Sequence, residues 1–340
     1  MAARPDASRS VPGGFAQALR ELGLAGSGRM TGMPLAGGVS SDIWRVDTCR
    51  GPVCVKRALP KLRVLADWWA PIERNVYEAR WMRVANQAVP GCAPELFGQH
   101  PGLGVLVMGY LPPPDYLLWK HALRDGNADP ALARTLGRTV ARIHAYSAAR
   151  VDLAAQFDAG AIFHDIRLEP YLVATARRHA DLASALLRLV AVTQAHAVAL
   201  VHGDVSPKNI LVGPRGPVLL DAECACWGDP AFDLAFCLNH LLLKCLWNVP
   251  ATAAFLAAFD ALSEGYLQAA DWEPRDALER RAAALLPGLL LARVDGKSPV
   301  EYITEDAGRD AVRQVARSLL RRPVERLQQV AAAWREELGP

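Results

Sequence analysis

Residues 210–220 read Ile-Leu-Val-Gly-Pro-Arg-Gly-Pro-Val-Leu-Leu, an apolar arm on each side of a Gly213–Pro217 turn. Short β-type runs divided by Gly and Pro predict an antiparallel hairpin. The arms Ile210–Val212 and Val218–Leu220 are equal in length, so Asn209 and Asp221 are expected side by side at the open end, with Cβ atoms about 5 Å apart as cross-strand partners. An amide oxygen and a carboxylate at that separation are hard donors suited to Mg²⁺. Asp204 precedes Asn209 on a loop where Gly203 permits tight backbone geometry and Pro207 stiffens the approach, so a third oxygen group is presented to the same place.

The chain around this hairpin changes character once. Phe15, Leu19 and Leu22 fall at helical spacing within a Gly-, Ala- and Arg-rich stretch, 1–30, which reads as an N-terminal extension. Short β-type runs follow, with Ile43–Val46 and Val53–Lys56 flanking a turn at Cys49–Pro52. A helical stretch over 67–87 and a buried-type strand in 103–111 come next, and the strand stops at Pro112-Pro113-Pro114. Beyond it helical patterns dominate, first from an Asp129 cap and Pro130, then over 168–198, 231–247, 250–270, 274–292 and 307–336, the last interrupted by Pro323. The expected fold class is α+β, with a small β-rich lobe, 31–113, and a larger, mostly helical lobe, 114–340.

Composition removes several function classes. Lys and Arg number 38 against 35 Asp and Glu, a net charge of +3, so binding to nucleic acid by phosphate neutralisation is not indicated. The uncharged stretches 189–201 and 245–259 are shorter than the roughly 20 residues of a membrane span, and no secretory signal is readable; a soluble, cytoplasmic protein is expected. Seven scattered cysteines read as reduced thiols, and Cys224-Ala-Cys226 has the wrong spacing for zinc. The sequence carries no signal for oligomeric state.

Phosphoryl transfer needs oxygen ligands for a metal that neutralises phosphate charge, and a carboxylate that orients the attacking hydroxyl and takes its proton. The hairpin and the Asp204 loop offer both. Pro34–Ser41, with Gly37, Gly38, Ser40 and Ser41, lies between β segments, where small residues let backbone N–H groups and hydroxyls approach a polyphosphate. Lys56 ends the following strand, and Glu78 in the next helical stretch can pair with it; Glu73 is the rival. Together these parts describe a bilobal kinase.

His202-Gly203-Asp204 with Asn209, then Asp221 and Gly228–Ala235, resemble the aminoglycoside phosphotransferase and choline kinase superfamily, which shares the protein kinase-like fold. The resemblance runs from about Leu35 to about Leu243. It implies Asp204 as catalytic base, Asn209 and Asp221 as Mg²⁺ ligands, Lys56 on the α/β-phosphates of ATP with Glu78 as its partner, and the backbone of Met108, Gly109, Tyr110 and Leu111 as the adenine hinge. It also implies that His202 braces the catalytic loop and that Asp233 accepts backbone N–H bonds from it.

His-Gly-Asp replaces the His-Arg-Asp of protein kinases, and Asp221-Ala222-Glu223 replaces their Asp-Phe-Gly. The Asp-x-Glu pair is similar to that of methylthioribose kinases and choline kinases, which makes Glu223 a candidate metal or water contact. Phe232–Leu243 is similar to the corresponding helix of methylthioribose kinases and favours a sugar-like or other small polar alcohol as acceptor. Residues 250–340 hold 12 basic and 14 acidic residues, a net of 12 − 14 = −2, without the acidic excess a polyammonium antibiotic would meet. Arg293 and Asp295 are candidate substrate contacts because they interrupt an apolar helix near a turn. The alternatives are an aminoglycoside phosphotransferase and a nucleotide-binding pseudokinase scaffold, the latter suggested by Ser206 standing where a Lys two residues after the Asp would be usual, with the Lys shifted to Lys208, and by the unusual Asp221-Ala222-Glu223.

Overall fold

The computed structural model describes residues 9–35, 40–61, 63, 69–113 and 115–339. The first part of the chain runs β1 (Arg9–Ser10), α1 (Gly13–Glu21), β2 (Thr31–Pro34), β3 (Ser41–Thr48), β4 (Gly51–Ala58), α2 (Arg74–Ala88), β5 (Leu96–His100) and β6 (Val105–Gly109). Among the described residues these six strands form one antiparallel sheet in the order β1-β2-β3-β4-β6-β5.

The segment read as an extension is built into this unit. Phe15, Leu19 and Leu24 pack against Val46, Val53, Val55, Val105 and Val107, because alternate residues of β4 and β6 offer α1 the apolar face that its spacing requires. The helix expected over 67–87 begins only at Arg74; residues 64–68 lie outside the description.

The second part contains β7 (Leu117–Leu118), α3 (Trp119–Arg124), α4 (Pro130–Ala148), α5 (Gly160–Phe163), a π-helical stretch (His164–Val173), α6 (Ala174–Arg178), α7 (Ala183–Ala195), β8 (Ala199–Val201), β9 (Ile210–Gly213), β10 (Gly216–Leu219) and β11 (Cys226–Gly228). Helices α8 (Pro230–Trp247), α9 (Thr252–Ala269), α10 (Arg275–Asp295), α11 (Asp306–Arg321) and α12 (Leu327–Leu338) complete it. Asp129 caps α4 by accepting the Ala131 N–H at 2.8 Å, and Asp229 caps α8 through Ala231 at 3.0 Å, each with Pro in the first turn.

The single helical pattern expected over 168–198 is three elements instead. Pro170 has no N–H to donate, and the chain around it widens into π-helical turns before breaking at His179. Helices α4 and α9 cross closely: a Cβ on Gly137 would stand 2.2 Å from the Leu262 carbonyl oxygen. Helix α8 is buried from Pro230 to Cys245, so its polar members Asp233, Asn239, His240 and Lys244 all lie inside the protein. Among the described residues no helix is long and apolar enough to cross a membrane.

Candidate active site

The catalytic-loop segment 202–209 leaves β8 and enters the β9–β10 hairpin. Gly203 has φ +76°, and a Cβ there would meet the Cβ and carbonyl oxygen of Cys224 at 2.8 Å, so the turn admits only glycine without displacement. Asp233, one turn into α8, fixes this loop from below: Oδ2 accepts the His202 N–H at 2.7 Å and Oδ1 the Gly203 N–H at 2.8 Å. His144 supports Asp233 in turn, with Nε2 at 3.1 Å from Oδ2 and Nδ1 at 2.7 Å from the Tyr266 hydroxyl. His202 accepts the Asp204 N–H on Nδ1 at 3.1 Å and donates from Nε2 to the Leu220 carbonyl at 3.1 Å, which defines the neutral tautomer. Burial lowers its pKa, in keeping with that assignment.

Hairpin register departs from the sequence expectation at its open end. Ile210 pairs with Leu219, and the Leu220 N–H donates to the Asn209 carbonyl at 2.8 Å, so the cross-strand neighbour of Asn209 is Leu220 rather than Asp221. Asp221 lies one residue further on with φ 63°, the left-handed region that a non-glycine residue rarely occupies. That turn aims its carboxylate at the β sheet, where Oδ1 pairs with Lys56 Nζ. Asn209 uses Nδ2 on the Asp204 carbonyl at 3.2 Å, and its Oδ1 accepts no hydrogen bond from the described residues.

Lys56 is the centre of a buried charge cluster. Nζ donates to Glu78 Oε1 and Oε2 at 2.8 and 2.7 Å, while the rival Glu73 is exposed at the start of α2. Burial alone would lower the Lys56 pKa, but Asp221, Glu78 and Glu223 override it and hold it above its ordinary value. Glu223, a candidate metal contact from its position, is bound instead by Arg74 Nε at 2.9 Å. Arg74 also donates to the Ser40 and Leu59 carbonyls, each at 2.7 Å.

These contacts give α2 a single working face: Arg74 reaches Glu223, Glu78 reaches Lys56, and the Trp81 ring meets His202 edge-on at 4.7 Å. Positions i, i+4 and i+7 share one side of a helix. The Arg74 and Trp81 contacts escaped the sequence reading, although their spacing from Glu78 is a visible signal. Arg167 escaped it too, and here no sequence signal exists.

Arg167 projects from the π-helical stretch, where NH2 pairs with Asp204 Oδ2 at 2.8 Å and Nε donates to the Gly203 carbonyl at 2.5 Å. Lys208 Nζ joins the same carboxylate oxygen at 3.1 Å. Burial would raise the Asp204 pKa; the charges of Arg167 and Lys208 overcome that and hold it far below the carboxylate range. Oδ1 receives the Ser206 hydroxyl at 3.1 Å and no other hydrogen bond from described residues.

The remaining sequence candidates fall in different places. Gly37 and Gly38 lie outside the described residues. Ser40 and Ser41 are buried at the start of β3, and the Ser41 hydroxyl has no partner among the described residues. Met108 and Gly109 close β6, with the Gly109 N–H on the Glu95 carbonyl at 2.8 Å, and Tyr110 and Leu111 continue past the ladder. Asp295 is taken by Arg313 (2.9 Å) and His179 (2.9 Å), a structural ion-pair group between α10 and α11. Arg293 donates to the Tyr171 hydroxyl at 3.1 Å and to the Ser298 carbonyl at 2.5 Å, and its Nε is buried without a partner among the described residues. A cavity of about 710 Å³, lined by Leu59, Ile72 and Leu103 among others, contains none of these carboxylates.

The fold is of the protein kinase-like type. Residues 31–278 match the phosphotransferase enzyme family (APH), and the chain belongs to that family. Methylthioribose kinase of Yersinia pseudotuberculosis serotype O:3 (strain YPIII) is 29% identical, covering 56% of this chain and 53% of that protein. Methylthioribose kinase 1 of Oryza sativa subsp. japonica is 24% identical, covering 57% and 51% respectively. The chain thus spans about half the length of the curated relatives it matches. Choline kinase of Cryptosporidium parvum Iowa II has the same fold, with a TM-score of 0.52 over 90% of this chain and 94% of that one at 11% identity.

Proposed function

We propose that this protein transfers the γ-phosphate of ATP to a hydroxyl of a small, polar, sugar-like metabolite. The observation that carries the reading is the convergence of three separated segments: Lys56 of β4 joins Glu78 of α2 and Asp221 beyond the hairpin, while Asp204 stands ionised on the adjoining loop. The donor set fits Mg²⁺, since Asp221 offers a carboxylate and Asn209 a free amide oxygen, both hard ligands. When bound there, the ion supplies charge neutralisation on the phosphates.

The chain's own groups do the rest. Lys56, oriented by Glu78, contacts phosphate oxygens. Asp204 Oδ2 is held by Arg167 and Lys208, which leaves Oδ1 to receive the acceptor hydroxyl. A carboxylate with so low a pKa is a weak base, so it orients the hydroxyl first and takes the proton only as the new O–P bond forms. Arg167 is a positioning residue for Asp204. Neutral His202, clamped between Asp204 and Leu220, keeps the loop in register.

An ADP-release screen with Mg·ATP against sugars, sugar acids, amino alcohols and aminoglycosides tests the proposal. Acceptor-dependent ADP formation with a sugar-like alcohol is expected. Turnover only with aminoglycosides would assign the protein to antibiotic modification. A nucleotide-dependent rise in Tm without turnover on any alcohol would favour the pseudokinase scaffold.

A further inference from the structure

The C-terminal half of α8 carries polar side chains that neither the fold nor the transfer chemistry uses. Arg167, the partner of Asp204, lies 5.9 Å from the centroid of the Phe236 ring. His240 packs edge-on to the same ring at 5.6 Å, one helical turn further along. Lys244 follows another turn on, its Nζ 3.8 and 3.7 Å from the Trp247 and Tyr302 ring centroids. Tyr171, on Phe236 at 5.5 Å, brings in Arg293, and Lys120 pairs with Glu301 beside Tyr302. A strip therefore leads from the catalytic carboxylate to Lys244, about 12 Å along α8 from Phe236 at 1.5 Å per residue.

Charge is one-sided only at the far end of the strip, where Lys120, Arg293 and Lys244 face Glu301; Arg167 and Lys208 lie among Asp204, Asp221 and Glu223. Lys244 is 1% exposed yet makes no hydrogen bond or ion pair with a described residue, and His240, 7% exposed, makes none either. Arg293 Nε and the Tyr302 hydroxyl are buried without partners among the described residues. Buried polar groups are ordinarily satisfied, and a buried charge without a counterion is strongly unfavourable. Burial, Lys120 and Arg293 push Lys244 down to about 7, Glu301 opposing them; burial with Arg293 and Lys244 holds His240 well below its usual value.

We propose that this strip is the distal half of the acceptor site and that the acceptor is an anionic alcohol, its carboxylate or phosphate held by Lys244, His240, Arg293 and the Tyr302 hydroxyl. The inference rests on the transfer reading of Asp204 and adds the charge class of the acceptor. A quaternary or primary ammonium acceptor fits poorly here, because the Trp247–Tyr302 aromatic pair that would receive a cation is already occupied by the chain's own lysine.

The test is isothermal titration of the full chain, with Mg·AMP-PNP present, using probes matched in skeleton: D-gluconate against sorbitol, D-glycerate and glycerol 3-phosphate against glycerol, and choline. Each anionic probe is expected to bind at least about 10-fold tighter than its neutral counterpart, the scale of one charge-assisted hydrogen bond. The glycerate and glycerol 3-phosphate arms separate carboxylate from phosphate. Lys244→Met is expected to abolish the preference, and Lys120→Gln, at a more exposed position, to reduce it about 2-fold should the buried variant not fold. Equal binding of glycerate, glycerol 3-phosphate and glycerol, or a preference retained in Lys244→Met, overturns the proposal. ADP release separates the two readings. Anions that bind but are never phosphorylated would remove the transfer reading and leave the anion site standing. A neutral alcohol phosphorylated without competition from the anions would do the reverse.

Discussion

Two lysines, Lys56 of β4 and Lys244 of α8, are buried, and their surroundings are opposite. Lys56 is enclosed by Glu78 and Asp221, whereas Lys244 has two aromatic rings and, among the described residues, no carboxylate within hydrogen-bonding distance. The first is satisfied by the chain itself; the second is left for something outside it. The same substitution, Lys→Met, should therefore have opposite effects on stability at the two positions.

The largest expected effect falls at neither lysine. Asp204→Asn should lower kcat by at least about 10²-fold in the ADP-release assay, the range for loss of a general base, and near-normal turnover would remove Asp204 from the mechanism. Lys56→Met should destabilise the protein by about 3–5 kcal/mol in chemical denaturation, because Glu78 would be left as a buried, unpaired carboxylate beside the half-buried Asp221. It should also weaken ATP binding at least about 10-fold, the value of a charge-assisted hydrogen bond. Lys244→Met should instead stabilise by about 1–2 kcal/mol, since a buried cation without a counterion is replaced by an apolar chain of similar volume. A fall in Tm for that variant would break the contrast.

The smallest effect concerns pH. With a folded pKa of about 7 against about 10.4 in the unfolded chain, Lys244 is deprotonated in the native state while still protonated in the unfolded one. Its contribution to stability therefore rises with pH between those values, and Lys244→Met should flatten that rise. Affinity for an anionic acceptor should move the other way, with Kd increasing above pH 7 as the free lysine loses its proton. A Kd independent of pH from 6 to 9 would sever Lys244 from acceptor binding.

Much of this site was legible in the sequence where the groups are close along the chain. Asp204, Asn209 and Asp221 belong to one loop and hairpin, and local turn chemistry places them. The error was of one residue: equal apolar arms suggested Asn209 opposite Asp221, but the ladder ends at Leu219, and the left-handed turn at Asp221 redirects its carboxylate toward Lys56. Residue patterns cannot reveal such a backbone choice when no glycine marks it. Contacts between distant segments were harder. Glu78 was found through its relation to Lys56, but the Arg74 hold on Glu223 and the Arg167 hold on Asp204 depend on how helices pack. Asp295 shows the converse, a charged residue near a turn that serves Arg313 and His179.

Helix α2 grips the Glu223 segment and the loop histidine His202 from one side while it holds the β4 lysine on the same side. Hinging of the upper part away from the lower would have to release the guanidinium–carboxylate pair and the indole–imidazole contact together. On the proposed phosphotransfer reading, opening to admit or discharge nucleotide is a concerted, two-position movement with this helix as its latch.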